Sequence, residues 1–505
     1  MTVDPFVMAF LPLPLGQRIP PSIHGVSCSL PTMRAVVGYE EKDPEITRHL
    51  TSGYPRFVQH PYLKQAAAVL LRREGLADHQ LWPTSSRRAA GCLQQWLLPV
   101  ITRVVEHDGL CGVAFPTLPE TAARAKTWLQ HTGALASTRA TEDFLIRAGE
   151  LPSAQPEPTF VGDAGAEVRR YLRRVFAPAT DAEIFLASNG MNAIWSAFRT
   201  VSILQAARGR RIWVQLGWLY LDTIAILQKF TPAPGDHVFL GDVFDLDALR
   251  RLFAERGHEI AGVITEVPTN PLLQTTDLQA VHALCRARGA ILVVDPTIAS
   301  PVNLDVFPHS DVVANSLTKY TASEGDILFG ACVVNPAAPD AAALRAGMAA
   351  ELEPVYPRDL ARLAAQIGDA DGMIAQSNAS ATKVVKFLRG HPRVQSVLWT
   401  LEPKSRDNYL RLARTPSSVG SMISFTVDGP VARVYDRLRL PKGPSFGMKT
   451  TLICPFIYLA HYDLVTSEAG RTLLTANGLS ADLLRLSVGC EPVEEIIDAL
   501  REALD

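Results

Sequence analysis

The sequence predicts an α/β fold: a mainly parallel seven-stranded sheet in a large domain, followed by a smaller C-terminal α+β domain. Three observations predict it. From Gly162 onward short apolar runs alternate with helical stretches, the pattern of a sheet covered on both faces. The runs are continuously apolar, as buried parallel strands are. The residues best suited to chemistry fall at the ends of these runs, and such sheets bind ligands at the carboxyl ends of their strands.

The elements follow in order. Residues 1–61 are rich in Pro and Gly and read as an irregular arm. Its start, Met1 to Leu15, has Asp4 in place of a basic region and is broken by prolines, so it reads as a mobile arm and not a signal peptide. Residues 62–160 read as a mostly helical insertion, with helical runs at Leu63–Arg72 and Thr121–Gln130 and strand-like pieces at Val100–Val105 and Gly112–Phe115. The Pro-rich run Leu151–Pro158 reads as a linker. The large domain, 161–355, opens with a helix near Val168–Val175. Its strands are expected at Glu183–Ala187, Arg211–Gln215, His237–Leu240, Ile260–Glu266, Ala290–Asp295, Asp311–Ser316 and Phe329–Val334. In the small domain, 356–505, a helical connection (Arg358–Leu388) leads to strands at Ser421–Val427, Leu452–Ile453 and Leu484–Val488. Helices are expected at Val431–Leu438 and Val493–Leu504.

Composition narrows the function. At 505 residues the length suggests about three domains. The formal net charge of −2 and the lack of a basic block give no support to a nucleic-acid or membrane partner. Seven scattered cysteines form no Cys-x-x-Cys pair, so no metal site or disulfide framework is expected and the compartment reads as reducing, the cytoplasm. No window is apolar enough to span a membrane.

Lys319 carries the sharpest signal. An apolar run ends in Ser316-Leu-Thr-Lys319, and the preceding run, Ala290–Val294, ends in Asp295. A lysine after a strand is ordinarily just solvated. Paired with a carboxylate at the end of the neighbouring strand, it fits pyridoxal phosphate, which needs an amine for its aldehyde and an acid for its ring nitrogen. Asn189-Gly-Met191 opens a helix after a strand, where backbone N–H groups meet phosphate. Gly217-Trp-Leu-Tyr220 offers aromatics for a ring, and Glu266-Val-Pro-Thr-Asn-Pro271 closes a strand with an amide.

In this order, and with Leu483-Leu-Arg-Leu-Ser-Val-Gly-Cys-Glu491 near the end, these pieces resemble the Cys/Met-metabolism family of pyridoxal-phosphate enzymes. That family is the γ-synthase and γ-lyase group of fold type I, and the resemblance covers about residues 160–505. Gln17–His24, Val26–Thr32, Val37–Glu41 and Gly53–Phe57 are similar to the long, fungal-type cystathionine γ-synthases.

The resemblance implies roles. Lys319 would join the cofactor and carry protons, and Asp295 would pair with the pyridinium nitrogen. Gly190 and Met191 would give N–H groups to phosphate, with hydroxyls from Ser316 and Thr318; Thr297 would lie beside the cofactor. Tyr220 would stack on the ring and assist departure of the leaving group, with Trp218 as a rival for the stacking. Asn270 would sit near the phenolic oxygen and the substrate. Arg485 would fork the substrate carboxylate, with Ser445 beside it. Tyr54 and Arg56 would reach a neighbouring subunit's phosphate, implying a homo-oligomer: a dimer with shared active sites, and a tetramer of two dimers.

Three departures stand out. Leu221 and Asp222 replace glycines after Tyr220. Glu324-Gly325 replaces a Gly-His. Phe446-Gly-Met-Lys-Thr450 replaces Leu-Gly-Gly-x-Glu, removing the Glu where synthases meet the incoming amino acid. The implied reaction is γ-replacement on an O-activated L-homoserine (acetyl, succinyl or phospho) by cysteine, giving cystathionine. The alternatives are a γ- or β-lyase, or substitution by a carbon or amine nucleophile.

Overall fold

In the large sheet each apolar run buries both faces, with successive side chains sent to opposite sides. The computed structural model describes residues 10–51 and 58–505; Tyr54 and Arg56 lie outside the described residues. The seven strands are β1 (Ile184–Ala187), β2 (Ile212–Leu216), β3 (His237–Leu240), β4 (Ile260–Glu266), β5 (Ile291–Asp295), β6 (Val312–Ser316) and β7 (Gly330–Val334). They lie in the order β1-β7-β6-β5-β4-β2-β3. The run β6-β5-β4-β2-β3 is parallel, and β7 is antiparallel to both its neighbours. The expected mainly parallel sheet is present, with strand bounds within a residue or so of those expected.

The faces separate as the pleat requires. Val214, Leu216, Leu292 and Val294 join the core under helix Ala164–Val175. Trp213, Ile291 and Val293 join the opposite core under helix Gly190–Ala206. Trp213 is fully buried; a Cβ on Gly262, its neighbour on β4, would come within 2.9 Å of the indole. Chemistry-bearing residues at the ends of β4, β5 and β6 therefore gather at one sheet edge.

The small domain has four antiparallel strands: β8 (Val394–Leu398), β9 (Met422–Val427), β10 (Leu452–Pro455) and β11 (Leu484–Ser487), in the order β8-β9-β11-β10. Sequence reading lacks β8. This edge strand buries one of its five side chains, so it carries little hydrophobic pattern. The helical connection is two helices, Pro357–Gln366 and Ala370–Gly390.

The insertion contains a three-stranded antiparallel sheet, His79–Thr84, Leu110–Pro116 and Arg103–His107, with Leu110–Pro116 central. Strand His79–Thr84 is missing from the sequence reading. It contains Pro83, which belongs on an edge strand such as this one. The Pro-rich run Leu151–Pro158 has no helix or strand, yet it is anchored: Glu157 meets Arg139 and Arg358 at 2.6 and 3.0 Å.

The arm also packs on its own chain. Leu30, Val36, Ile46 and Leu50 share the small-domain core, Tyr435 donates to Leu30 O at 2.8 Å, and Met33 N–H donates to Asp436 at 2.7 Å. This docking brings Tyr39, Glu40 and Lys42 to the cavity described next.

Candidate active site

A cavity of about 350 Å³ lies at the carboxyl ends of β4, β5 and β6, beneath the small domain. Gly190, Met191, Tyr220, Asn270, Asp295, Thr297, Ser316, Thr318, Lys319, Ser445 and Arg485 all line it. The structure thus brings together every candidate from residues 190–485 except Trp218.

Lys319 follows β6 and is 9 % exposed. Its Nζ donates to Ser445 Oγ at 3.0 Å and lies 4.8 Å from the centroid of Phe446. Burial, then the Arg485 guanidinium, hold its amine well below the usual lysine range. Burial thus favours the free amine, the form able to take a proton.

Asp295 ends β5 in register with Glu266 on β4. Burial pushes the Asp295 carboxyl up to about 6, against two hydrogen bonds that favour the anion. These come from the backbone N–H of Thr297, at 2.9 Å, and from its hydroxyl. The Thr297 oxygen also accepts from Ser316 N–H at 2.9 Å and from Asn315 at 3.0 Å. Thr297 thereby ties the ends of β5 and β6 together and aims Asp295.

The phosphate-suited corner is the N-terminus of helix Gly190–Ala206. Asn189 caps it by accepting from Asn192 N–H at 3.0 Å. The N–H groups of Gly190 and Met191 have no intrahelical acceptor and carry the positive end of the dipole. A Cβ on Gly190 would lie 2.7 Å from Ser316 Oγ, so glycine is what lets the hydroxyl and the helix end share one cradle. The Thr318 hydroxyl is engaged elsewhere: it donates to Phe329 O at 3.2 Å and accepts from Phe329 N–H at 2.9 Å.

Arg485, on β11, is buried between the rings of Phe456 and Phe446, 4.3 and 5.2 Å from their centroids. It donates to Asn270 Oδ1 at 3.0 Å and to Ser445 O at 3.3 Å. Ser445 holds a left-handed backbone, φ +96, a strained conformation for a non-glycine residue and one that clusters at functional sites.

The structure decides between the two aromatics. Tyr220 lines the cavity, and its N–H donates to Glu266 Oε1 at 2.6 Å. Trp218 is buried among Leu272, Phe456 and Leu474 and donates to His461 Nε2 at 3.0 Å, so it is a core residue.

Glu266 opens the motif that ends in Asn270-Pro271, and its place at the end of β4, beside Asp295, is the signal that marks it. Lys42 and Glu40 from the arm, and Lys126 and Gln130 from the insertion, also line the cavity and have no sequence signal at all. Among the described residues no group of three or more His, Cys, Asp or Glu is placed to hold a metal, no helix is long and apolar enough to cross a membrane, and every cysteine is free.

The model for the family "Cys/Met metabolism PLP-dependent enzyme" matches residues 169–505. The chain is 38% identical over 489 residues to an L-2-amino-4-chloropent-4-enoate dechlorinase/desaturase of Streptantibioticus cattleyicolor, covering 97% of this chain and 98% of the relative. It is 26% identical to a cystathionine gamma-synthase of Neurospora crassa, covering 98% of each. Among solved structures, a methionine gamma lyase from Micromonospora echinospora superposes with TM-score 0.55 at 26% identity, over 70% of this chain and 90% of that one. The cystathionine gamma synthase of Xanthomonas oryzae pv. oryzae gives 0.56 at 24% identity, over 70% and 89%. The large domain has the fold type I arrangement shared by these pyridoxal-phosphate enzymes. The residues present fit that cofactor: a cradle that a Cβ would fill, an acid at a strand end, and a buried amine whose charged form burial disfavours.

Proposed function

The chain belongs to the Cys/Met metabolism PLP-dependent enzyme family, and on that premise we propose that it eliminates a leaving group from Cγ of an L-α-amino acid without admitting a second amino acid. A halide on Cγ is the preferred leaving group. The observation that carries this reading is Phe446. Its ring packs against both Lys319 and Arg485, and Lys449 beyond it is paired with Asp369 at 3.3 Å. The stretch 446–450 thus offers an apolar wall and no carboxylate to receive the ammonium of an incoming cysteine. The 38% relative, a dechlorinase/desaturase by name, supports the same choice.

Bound pyridoxal phosphate supplies the electron sink that makes Cα–H acidic. The chain's own residues do the rest. Gly190, Met191 and Ser316 would hold the phosphate, and Asp295 would face the ring nitrogen as an anion, steadied by Thr297. Arg485 would bind the substrate carboxylate with its two parallel donors, and Tyr220 would cover the ring. The Lys319 amine, held by Ser445, would take the proton from Cα, return it to the carbon skeleton, and then take one from Cβ, so that the net loss is one proton with the halide. As the Cβ proton leaves, the halide departs from Cγ with its bonding electrons, and one further carbon–carbon π bond forms.

The second reading is γ-replacement of an O-activated L-homoserine by cysteine, favoured by the relatives at 26% and 23% identity named cystathionine gamma-synthase. One experiment separates the two. The holoenzyme is given L-2-amino-4-chloropent-4-enoate or O-acetyl-L-homoserine, each with and without L-cysteine. Chloride release independent of cysteine is expected. Turnover seen only with O-acetyl-L-homoserine and cysteine would overturn the first reading in favour of the second. This function includes a homodimer with shared sites; a monomeric holoenzyme in sedimentation velocity would contradict that part.

A further inference from the structure

The insertion touches the active site at two places that the sequence separates widely. Its helix Pro119–Thr132 ends at Gly133, in left-handed backbone with φ +67, against the start of helix Gly190–Ala206. Asn189 donates to Gly133 O at 2.7 Å, and Asn192 donates to Thr132 O at 3.2 Å. A Cβ on Gly133 would come within 2.3 Å of Asn189 Oδ1 and 2.6 Å of Asn192 N. Only glycine lets these two helix ends close up.

One turn earlier, Gln130 Nε2 donates to Asp222 Oδ1 at 2.8 Å, and His131 Nε2 lies 3.9 Å from the same oxygen. Asp222 is fully buried, two residues past Tyr220 in helix Leu221–Phe230. A buried carboxylate needs partners, and the insertion supplies them. The insertion is itself braced on both other domains: Arg139, 1 % exposed, meets Asp326 of the large domain at 3.6 Å and Asp359 of the small domain at 3.0 Å. A braced clamp transmits position, not just contact.

We infer that helix Pro119–Thr132 is a positioning element of the active site, fixing the phosphate-facing helix and the Tyr220 turn in one relative geometry through Asn189 and Asn192 on one side and Asp222 on the other. This rests on pyridoxal phosphate occupying the cavity and is independent of whether elimination or replacement is the reaction. None of these residues has to touch reacting atoms. They act through Gly190, Met191 and Tyr220.

The test uses the full chain carrying Gly133→Ala, Gln130→Ala, Asp222→Ala or Asp222→Asn. Three quantities are read: affinity of the cofactor-free protein for pyridoxal phosphate by absorbance titration, visible circular dichroism of the bound cofactor, and the melting temperature of the cofactor-free protein. Gly133→Ala is expected to weaken cofactor affinity about tenfold, the worth of one or two buried hydrogen bonds. Gln130→Ala and Asp222→Ala are expected to alter the visible dichroism, and Asp222→Asn, which keeps an acceptor for Gln130, to recover most of that signal. Lower melting temperatures with wild-type affinity and dichroism would make the helix a structural prop only and overturn the inference. If Gly133→Ala does not fold, the Gln130 and Asp222 variants decide on the dichroism alone.

Discussion

At the floor of the cavity Lys319, Asp295 and Glu266 stand at or just beyond the ends of β6, β5 and β4. At the rim Lys42, Glu40 and Lys126 arrive from the arm and the insertion. The floor groups are fixed by the sheet itself, since a strand end in register with its neighbour has one place to be. Burial suppresses their charged forms: the lysine is driven towards the free amine, and the acids towards the protonated carboxyl. The rim groups owe their place to the docking of segments remote in sequence. Lys42 is exposed and Lys126 half-buried, so water still screens them. The difference teaches where chemistry and selection reside. Proton transfer needs a dry, fixed group, whereas a screened rim charge changes binding by small amounts.

The largest test of that contrast is Lys319→Ala. It removes both the covalent anchor and the base, and turnover is expected to fall on the order of 10⁴-fold or more, with loss of the visible absorbance that borohydride bleaches. Wild-type turnover would dissolve the distinction between floor and rim. Next comes a contact outside the cavity, the Trp218–His461 pair between the large and small domains. Burial lowers the His461 pKa from 6.5 to about 4, and its Nε2 must stay unprotonated to accept from the indole. A depressed folded-state pKa contributes stability present above 6.5 and lost as pH falls through about 4. The loss should reach about 3 kcal/mol, and denaturant titrations of His461→Gln should show a correspondingly shallower decline over that window. Equal slopes would mean that the histidine is solvated.

The floor is the part legible in the sequence. Continuous runs such as Ile260–Thr265 announce buried strands, and their end residues, Glu266 included, carry the motifs. The rim is not legible, because nothing around Lys126 or Gln130 marks them. They reach the cavity only because helix Pro119–Thr132 docks beside Asp222, some ninety positions further along the chain, a tertiary fact with no local pattern. Strand β8 escaped for a related reason: with four of its five side chains partly or fully exposed, it has almost no apolar face to read. Trp218 shows the converse. Its type and place fit a stacking residue, and only its contact with His461, 243 residues away, assigns it to the core.

Arg485→Lys ranks third. A lysine keeps the charge but neither the parallel donors nor the stacking between Phe446 and Phe456. We expect KM for the amino-acid substrate to rise about 10- to 50-fold while cofactor affinity holds. An unchanged KM would remove Arg485 from carboxylate binding. Lys126→Met follows, with a change in KM of at most about fivefold and little in kcat, the scale of a screened surface charge. A loss of kcat comparable to that of Lys319→Ala would place the rim in the chemistry and break the comparison from the other side.

The smallest expected effect belongs to a floor residue, and for that reason sharpens the comparison most. Glu266 is as dry as Asp295, yet its role is different. Burial, then the neighbouring Asp295, raise its carboxyl well above the usual carboxylate range. Oε1 accepts the Tyr220 N–H, and hydrogen bonds from the Tyr220 and Asn270 backbones favour the anion, but burial outweighs them. Burial thus favours the protonated carboxyl of Glu266, and Oε1 acts as an acceptor that pins the Tyr220 turn. Gln presents the same acceptor at the same reach without a charge, so Glu266→Gln should cost about threefold or less in kcat/KM and leave the pH profile unmoved. Glu266→Ala, which strands the Tyr220 N–H, should cost about tenfold. The measurement is kcat/KM against pH for the three proteins. If Glu266→Gln loses as much as Glu266→Ala, or shifts the acid limb of the profile, the residue works as an anion, and dryness at the floor does not by itself set the protonation state.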